Sequence, residues 1–204
     1  MTWLSWPNRI TIVRTLLIAP LIICLLNMNR PSWTFARQAA LLLFVLIGIS
    51  DAVDGYLARR LGQVTAVGKF LDPLADKILI ACTTILLAVE STAVPEAVLP
   101  NWVPVIAIGK DMVTVTGFGL VYLTTGRFLV HARPLGKTCT VVQLIMIALV
   151  LVAPDLPPAA RRLPEVAWWA ASVLAVVATI DYLRWGSRAA RAAEIDSAMK
   201  EQPK

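Results

Sequence analysis

Four aspartates between residues 50 and 77 have the type and spacing that a metal site requires. Asp51 and Asp54 are three residues apart, and Asp72 and Asp76 are four apart. Each spacing places both carboxylates of a pair on one face of a helix. Carboxylates inside a hydrophobic helix cost about 2.5–3.5 kcal/mol each on insertion scales. Four of them together therefore indicate a function rather than a packing role.

Mutual repulsion disfavours four ionised carboxylates in one place unless cations neutralise them. Hard oxygen ligands in this number suit Mg²⁺ or Mn²⁺, and two ions can share four carboxylates. Two such ions can hold a phosphoryl centre while charge moves from the nucleophile to the leaving group. The simpler alternative is a set of salt bridges in which Arg59, Arg60, Lys69 and Lys77 neutralise the aspartates.

Small residues and one arginine accompany the aspartates. Gly55, Ala58 and Gly68 leave room for a bulky ligand or for close packing of two helices. Arg59 offers a planar donor fork suited to a phosphate, and Thr65 can hydrogen-bond the same ligand. These residues predict a site for a phosphate-bearing ligand beside the carboxylates.

The composition indicates that these residues lie in a membrane protein. Of 204 residues, 58% are hydrophobic and 16% are charged, and the mean hydropathy is +0.72. A soluble domain has about 45–50% apolar and about 25% charged residues. The net charge of +6 comes from short basic clusters between apolar stretches. That pattern favours contact with anionic lipid headgroups and argues against nucleic acid as a partner.

Six apolar stretches of about 20 residues predict six transmembrane helices. They run over Ile10–Met28, Arg37–Ala58, Lys69–Val89, Trp102–Thr124, Thr138–Ala153 and Val166–Tyr182. We therefore expect an all-α integral membrane protein. Its transmembrane domain would occupy residues 1–185, and a polar C-terminal tail would follow at residues 186–204.

The basic residues outside these stretches predict the orientation. Six spans place both termini on one side, where twelve of these lysines and arginines lie. The opposite side has four, namely Arg30, Arg37, Arg161 and Arg162. Because positive loops stay in the cytoplasm, we expect both termini and the active site to be cytoplasmic. The aspartates would then line a polar cavity at the cytoplasmic side of a bacterial inner (plasma) membrane.

The chemistry-bearing residues form one continuous pattern, D-x2-D-G-x2-A-R, eight residues, then G-x3-D-x3-D. It is filled without a gap by Asp51, Asp54, Gly55, Ala58, Arg59, Gly68, Asp72 and Asp76. In this pattern the chain resembles the CDP-alcohol phosphotransferases. The segments PNRITIVRTLLIAP and GKFLDPLADK, and Gly136 to Gln143, are similar to those of the phosphatidylglycerophosphate synthases within that family.

The resemblance implies an enzyme of phospholipid synthesis with CDP-diacylglycerol as the phosphatidyl donor. Two ions of Mg²⁺ or Mn²⁺ per active site would be held by Asp51, Asp54, Asp72 and Asp76. Asp76 would also be the general base that takes a proton from the acceptor alcohol. The CDP-lipid would be bound by Asp51, Gly55, Ala58, Arg59, Thr65 and Gly68. Membrane lipids and a second copy of the chain are the other implied partners.

The fourth apolar stretch contains a residue pair that does not decide between two acceptor substrates. Synthases that use glycerol 3-phosphate usually have an Arg-Glu pair there, whereas this chain has Lys110 and Asp111. Eukaryote-type cardiolipin synthases, which use phosphatidylglycerol, tend to have Arg-Asp. We expect glycerol 3-phosphate, with Lys110, Arg133 and Lys137 binding its phosphate. A plain Lys110–Asp111 ion pair is the alternative for that lysine.

Two further interpretations remain at this stage. Asn8, Thr11 and Arg14 in the first apolar stretch are expected near the nucleotide, although Arg14 can also snorkel to the interface. A cation channel or transporter could use the aspartates as an ion site. The glycine, alanine and arginine positions argue against transport, because a pore needs no phosphate-binding fork.

Overall fold

A computed structural model describes residues 6–61, 66–125 and 134–200, with side chains described at 13–50, 75–117 and 134–187. Six α-helices and two short 3-10 turns make up its regular structure, and no strand occurs in the described ranges. The helices are α1 Trp6–Asn27, α2 Ala36–Leu61, α3 Ala66–Ala88, α4 Trp102–Thr125, α5 Pro134–Val152 and α6 Leu163–Lys200. The 3-10 turns, Ala153–Asp155 and Pro158–Ala160, lie between α5 and α6.

Each predicted span coincides with one helix to within a few residues at most ends, so the all-α prediction is confirmed. The exception is α6, which continues past Tyr182 as a helix to Lys200. By length and composition, two stretches of the described residues are able to cross a membrane, Pro134–Asp155 and Pro158–Ser187. Shorter apolar stretches occur at Val13–Asn27 in α1 and at Ala36–Ser50 in α2.

The main hydrophobic core lies at one end of the bundle. It joins the C-terminal halves of α1, α3 and α5 to the N-terminal halves of α2, α4 and α6. Leu25 of α1, Leu87 of α3 and Met146 of α5 are fully buried in it, next to Phe44 of α2. Successive helices therefore alternate in direction. The aspartate-bearing end of α2 and the first turns of α3 lie away from this core end.

The last helix packs on α4 and α5 through small side chains. Ala175 and Ala178 are buried against Cys139 of α5, with Ile106 of α4 beside them. Small residues at such a contact let helix backbones approach closely, which is typical of packing inside a membrane.

Large apolar side chains also cover the outside of the bundle. Leu16, Leu42, Val105, Ile145 and Val173 are each more than half exposed. An extended apolar exterior is unfavourable in water but is matched by lipid chains. The surface of the bundle therefore agrees with the composition in indicating a membrane protein.

The segment between α3 and α4, residues 89–101, folds back into the core end of the bundle. Val94 and Leu99 are almost completely buried, and the amide of Leu99 donates to the carbonyl of Leu87. The side-chain nitrogen Nδ2 of Asn29 donates to the backbone carbonyls of Ser91 and Ala93 at 3.1 and 2.9 Å. We call residues 89–101 the closing segment.

The core end is also stabilised by an ion pair between the start of α2 and the 3-10 turn that follows α5. Arg37 donates from Nη1 and Nη2 to the two carboxylate oxygens of Asp155, at 2.7 and 2.8 Å. Nη1 also donates to the carbonyl of Leu151 at 2.8 Å. Such a two-pronged pair has a better-defined geometry than a single contact.

Candidate active site

The signature aspartates lie on two consecutive helices. Asp51 and Asp54 are in the second half of α2, and Asp72 and Asp76 are in the first half of α3. The end of α2 and the start of α3 are five positions apart in the chain, so their Cα atoms are at most about 18 Å apart. Helix α1 packs against both.

Only part of the predicted site has described side chains. Gly55, Ala58 and Arg59 lie in α2 and Gly68 in α3, but the described side chains resume at residue 75. Thr65 lies outside the described residues. No group of three possible metal ligands occurs among the described side chains, and Asp76 is the one signature aspartate within that set.

Asp76 is paired with an arginine from the first helix. Nη1 of Arg14 lies 3.7 Å from Oδ1 of Asp76. The arginine side chain is 2% exposed and the aspartate 32%. Arg14 thus contacts a signature aspartate from inside the bundle. Asn8 and Thr11, predicted beside it near the nucleotide, lie in α1 but outside the described side chains.

The next residue of α3 joins a second ion-pair network. Oδ1 of Asp111 lies 3.7 Å from Nζ of Lys77 and 3.3 Å from Nζ of Lys110. Lys110 is buried, whereas Lys77 is about one-third exposed. The carboxylate of Asp111 on α4 therefore pairs with two lysines. One of them, Lys77 on α3, directly follows Asp76.

Lys110 also connects α4 to α5. Its ammonium donates to Oε1 of Gln143 at 3.3 Å and to Sγ of Cys139 at 3.8 Å. Both partners are buried. The Lys110–Asp111 ion pair, which the sequence offered as the alternative to phosphate binding, is present, and it is part of a larger network that the sequence did not predict.

These contacts form a layer of polar side chains at mid-height in four helices. We call it the polar layer; its members are Arg14, Asp76, Lys77, Lys110, Asp111 and Gln143. Its three basic members, Arg14, Lys77 and Lys110, are also the three lysines and arginines that lie inside the predicted spans rather than at their ends. Three cations face two carboxylates in this layer, so among these residues one positive charge is left over.

The other predicted acceptor ligands lie apart from this layer or outside the described residues. Lys137 is exposed in the first turn of α5. Arg133 is outside the described residues. The contacts that sequence reasoning missed are Arg14 with Asp76 and Lys77 with Asp111. The available signal was the presence of three basic residues deep in apolar helices, since each requires a partner there.

Comparison with known proteins places this arrangement in context. The family model described as CDP-alcohol phosphatidyltransferase matches residues 4–180. A protein of Bacillus subtilis (strain 168) named CDP-diacylglycerol--glycerol-3-phosphate 3-phosphatidyltransferase is 36% identical over 186 residues, covering 86% of this chain and 92% of its own. A Rickettsia bellii protein of the same name is 35% identical over 146 residues, covering 72% and 74%.

A third relative has a different name. The cardiolipin synthase (CMP-forming) / mitochondrial hydrolase fusion protein of Schizosaccharomyces pombe is 34% identical over 166 residues. The alignment covers 74% of this chain and 26% of that protein.

Proposed function

The chain belongs to the CDP-alcohol phosphatidyltransferase family, and we propose that it transfers the phosphatidyl group of CDP-diacylglycerol to glycerol 3-phosphate. The products would be phosphatidylglycerophosphate and CMP. The observation that carries this proposal is the similarity to the Bacillus subtilis protein, which extends over most of both chains. A match of that extent includes the acceptor side of the molecule as well as the aspartate signature.

Members of this family generally depend on a divalent metal. The donor set fits such an ion, since Asp51, Asp54, Asp72 and Asp76 supply only hard carboxylate oxygens. We propose that these four residues hold two ions of Mg²⁺ or Mn²⁺. When bound, the ions would neutralise the pyrophosphate and the charge that develops on the leaving group.

The protein's own residues would bind the donor and move the proton. Arg59 and Asp51, with the small residues Gly55, Ala58 and Gly68, would hold the cytidine diphosphate portion, and Thr65 would contact it from the loop. Asp76 would accept the proton of the acceptor hydroxyl as its oxygen attacks the phosphorus of the phosphatidyl group. The new phosphorus–oxygen bond forms while the bond to CMP breaks, and CMP leaves with that electron pair.

The polar layer supports a phosphate-bearing acceptor. Glycerol 3-phosphate brings a dianion that needs cations near the base. In the layer, Lys77 and Lys110 share one carboxylate, so their charge is only partly neutralised. We propose that Lys110 binds the acceptor phosphate, with Lys137 and Arg133 contributing from the start of α5 and the loop before it.

A second candidate is cardiolipin synthesis with phosphatidylglycerol as acceptor. Two observations favour it: the Lys110–Asp111 pair in place of Arg-Glu, and the similarity to the Schizosaccharomyces pombe fusion protein. The Bacillus subtilis alignment covers more of this chain, which favours glycerol 3-phosphate.

We also propose that all six helices cross a bacterial inner membrane, with both termini and the active-site cavity in the cytoplasm. The apolar exterior of the bundle and the excess of basic residues on the side of the termini support this orientation. A homodimer is proposed from the family alone.

The test is an assay of purified protein with CDP-diacylglycerol and either glycerol 3-phosphate or phosphatidylglycerol, in which CMP and the lipid product are measured. We expect phosphatidylglycerophosphate from the first acceptor. Cardiolipin from the second acceptor, without product from the first, would support the second candidate. Ion flux in proteoliposomes without CMP release from any acceptor would support a transporter.

A further inference from the structure

Arg14 is the least exposed charged side chain among those described, at 2%. It lies near the middle of α1, and Leu21 and Leu25 further along the same helix are fully buried. A guanidinium is transferred out of water at a high cost unless a charged group pairs with it. Nη1 of Arg14 lies 3.7 Å from Oδ1 of Asp76, which supplies such a partner.

The pair is asymmetric in its exposure. Asp76 is 32% exposed, whereas Arg14, which lies 3.7 Å from it, is almost completely buried. The residue before Asp76, Ala75, is buried. Arg14 therefore contacts the carboxylate from within the bundle, while about a third of the aspartate side chain stays accessible.

Two successive residues of α3, Asp76 and Lys77, form ion pairs with two different helices. Arg14 of α1 pairs with Asp76, and Asp111 of α4 pairs with Lys77. Adjacent residues of an α-helix point about 100° apart around the axis. Ion pairs to two neighbouring helices on successive residues therefore restrict rotation of α3 about its axis at Asp76.

We propose that Arg14 is a positioning residue for Asp76, which keeps the carboxylate directed toward the acceptor hydroxyl. This inference rests on the proposed function, in which Asp76 takes the proton of that hydroxyl. It is an alternative to the expected contact of Arg14 with the nucleotide, which stays a prediction. Replacing a residue that binds the nucleotide would weaken the binding of CDP-diacylglycerol. Replacing a residue that positions the base would lower kcat.

The experiment compares the kinetics of Arg14→Gln and Arg14→Lys with those of wild type. Arg14→Gln is expected to lower kcat by about 10- to 100-fold, part of the 10²–10⁴-fold that a general base contributes. The KM values for CDP-diacylglycerol and for glycerol 3-phosphate should stay nearly unchanged. Arg14→Lys keeps the charge but not the planar fork, so its kcat should be intermediate. If Arg14→Gln does not fold, the kcat of Arg14→Lys is compared with that of wild type and tests the proposal.

Arg37→Gln is the matched control, because it breaks an arginine–aspartate pair at the core end of the same bundle. It should leave kcat unchanged. A similar loss of kcat in Arg37→Gln would mean that any broken ion pair impairs the enzyme, which would overturn the positioning role. A loss confined to the KM for CDP-diacylglycerol would overturn it in favour of nucleotide binding.

A second readout needs no substrate. Unfolding midpoints in EDTA are measured for Arg14→Gln, Asp76→Asn and the double variant. The effect of Arg14→Gln should be smaller when Asp76 is already replaced, since contacting residues are not additive. Additive effects would overturn the pairing. If wild type releases no CMP with any acceptor, the proposed function is wrong. If wild type is active and Arg14→Gln and Arg14→Lys have the same kcat as wild type, only the positioning role is overturned.

Discussion

Lys77 and Asp111 connect the third helix to the fourth, with Nζ of the lysine 3.7 Å from Oδ1 of the aspartate. The same oxygen lies 3.3 Å from Nζ of Lys110. One carboxylate thus stabilises two ammonium groups inside a largely apolar bundle. Because Lys77 directly follows Asp76, the contact also anchors the segment of α3 that carries the proposed base.

Replacing Asp111 with Asn is expected to lower the free energy of unfolding by about 3 kcal/mol, because it leaves a buried ammonium without its carboxylate. Lys77→Gln is the control, since Lys77 is about one-third exposed and its loss leaves Asp111 paired with Lys110. Thermal unfolding of the purified variants measures both effects. Equal losses in the two variants would contradict the importance of the Lys110–Asp111 contact.

Removal of divalent metal is expected to abolish turnover. Four carboxylates with no soft ligand in the signature make Mg²⁺ or Mn²⁺ the expected ions. CMP release is measured before and after treatment with EDTA, and then after each ion is added back. Full activity following rigorous chelation would rule out a metal-dependent mechanism for this chain.

The aspartates are expected to differ in their effects. Asp76→Asn should lower kcat by about 10²–10⁴-fold while leaving much of the CDP-diacylglycerol binding, because it removes the proton acceptor. Asp51→Asn should weaken metal binding and CDP-lipid binding together. Steady-state kinetics combined with a CDP-diacylglycerol binding assay separates the two effects. Near wild-type turnover in Asp76→Asn would exclude it as the base.

The acceptor lysines are tested through the KM for glycerol 3-phosphate. Lys110→Ala and Lys137→Ala should each raise it by about tenfold to a hundredfold, since a hydrogen bond to a charged group contributes about 1.5–3 kcal/mol. The KM for CDP-diacylglycerol should change little. Lys137 is exposed, so its replacement should also leave the unfolding midpoint unchanged, whereas Lys110→Ala should lower it.

Arg184→Ala is the control for this pair, because Arg184 is an exposed basic residue of α6 with no predicted role in the site. Its acceptor KM should equal that of wild type. An unchanged KM in both lysine variants would remove them from the acceptor site while leaving the reaction class in place.

The sequence predicted the six helices because hydropathy depends on local composition alone. It placed the start of α4 at Trp102 and the other helix boundaries within a few residues, apart from the C-terminal end of α6. Apart from the Lys110–Asp111 pair of adjacent residues, it did not predict which charged residues meet. Arg14 is 62 positions from Asp76, so their contact depends on how α1 packs against α3, and no periodicity in either helix specifies that.

The segment between α3 and α4 shows a second limit. Pro95 and Pro100 indicated an irregular connection, which is correct, but no pattern in the sequence indicated that Val94 and Leu99 are buried. Their burial depends on space left between the ends of neighbouring helices. That space is a property of the assembled bundle.

The closing segment has a consequence for the permeability of the membrane. A bundle with charged side chains at mid-height offers ions and protons a partial route across the bilayer, and a route open at both ends would dissipate the potential that the cell maintains. The side chains of Val94 and Leu99 are buried in the core end and, in the proposed membrane orientation, would close that end of the bundle with apolar groups. Water and ions do not enter a narrow apolar constriction readily. In the proposed membrane orientation, a closed core end would let the enzyme hold charged side chains at mid-height and still preserve the electrical insulation of the membrane.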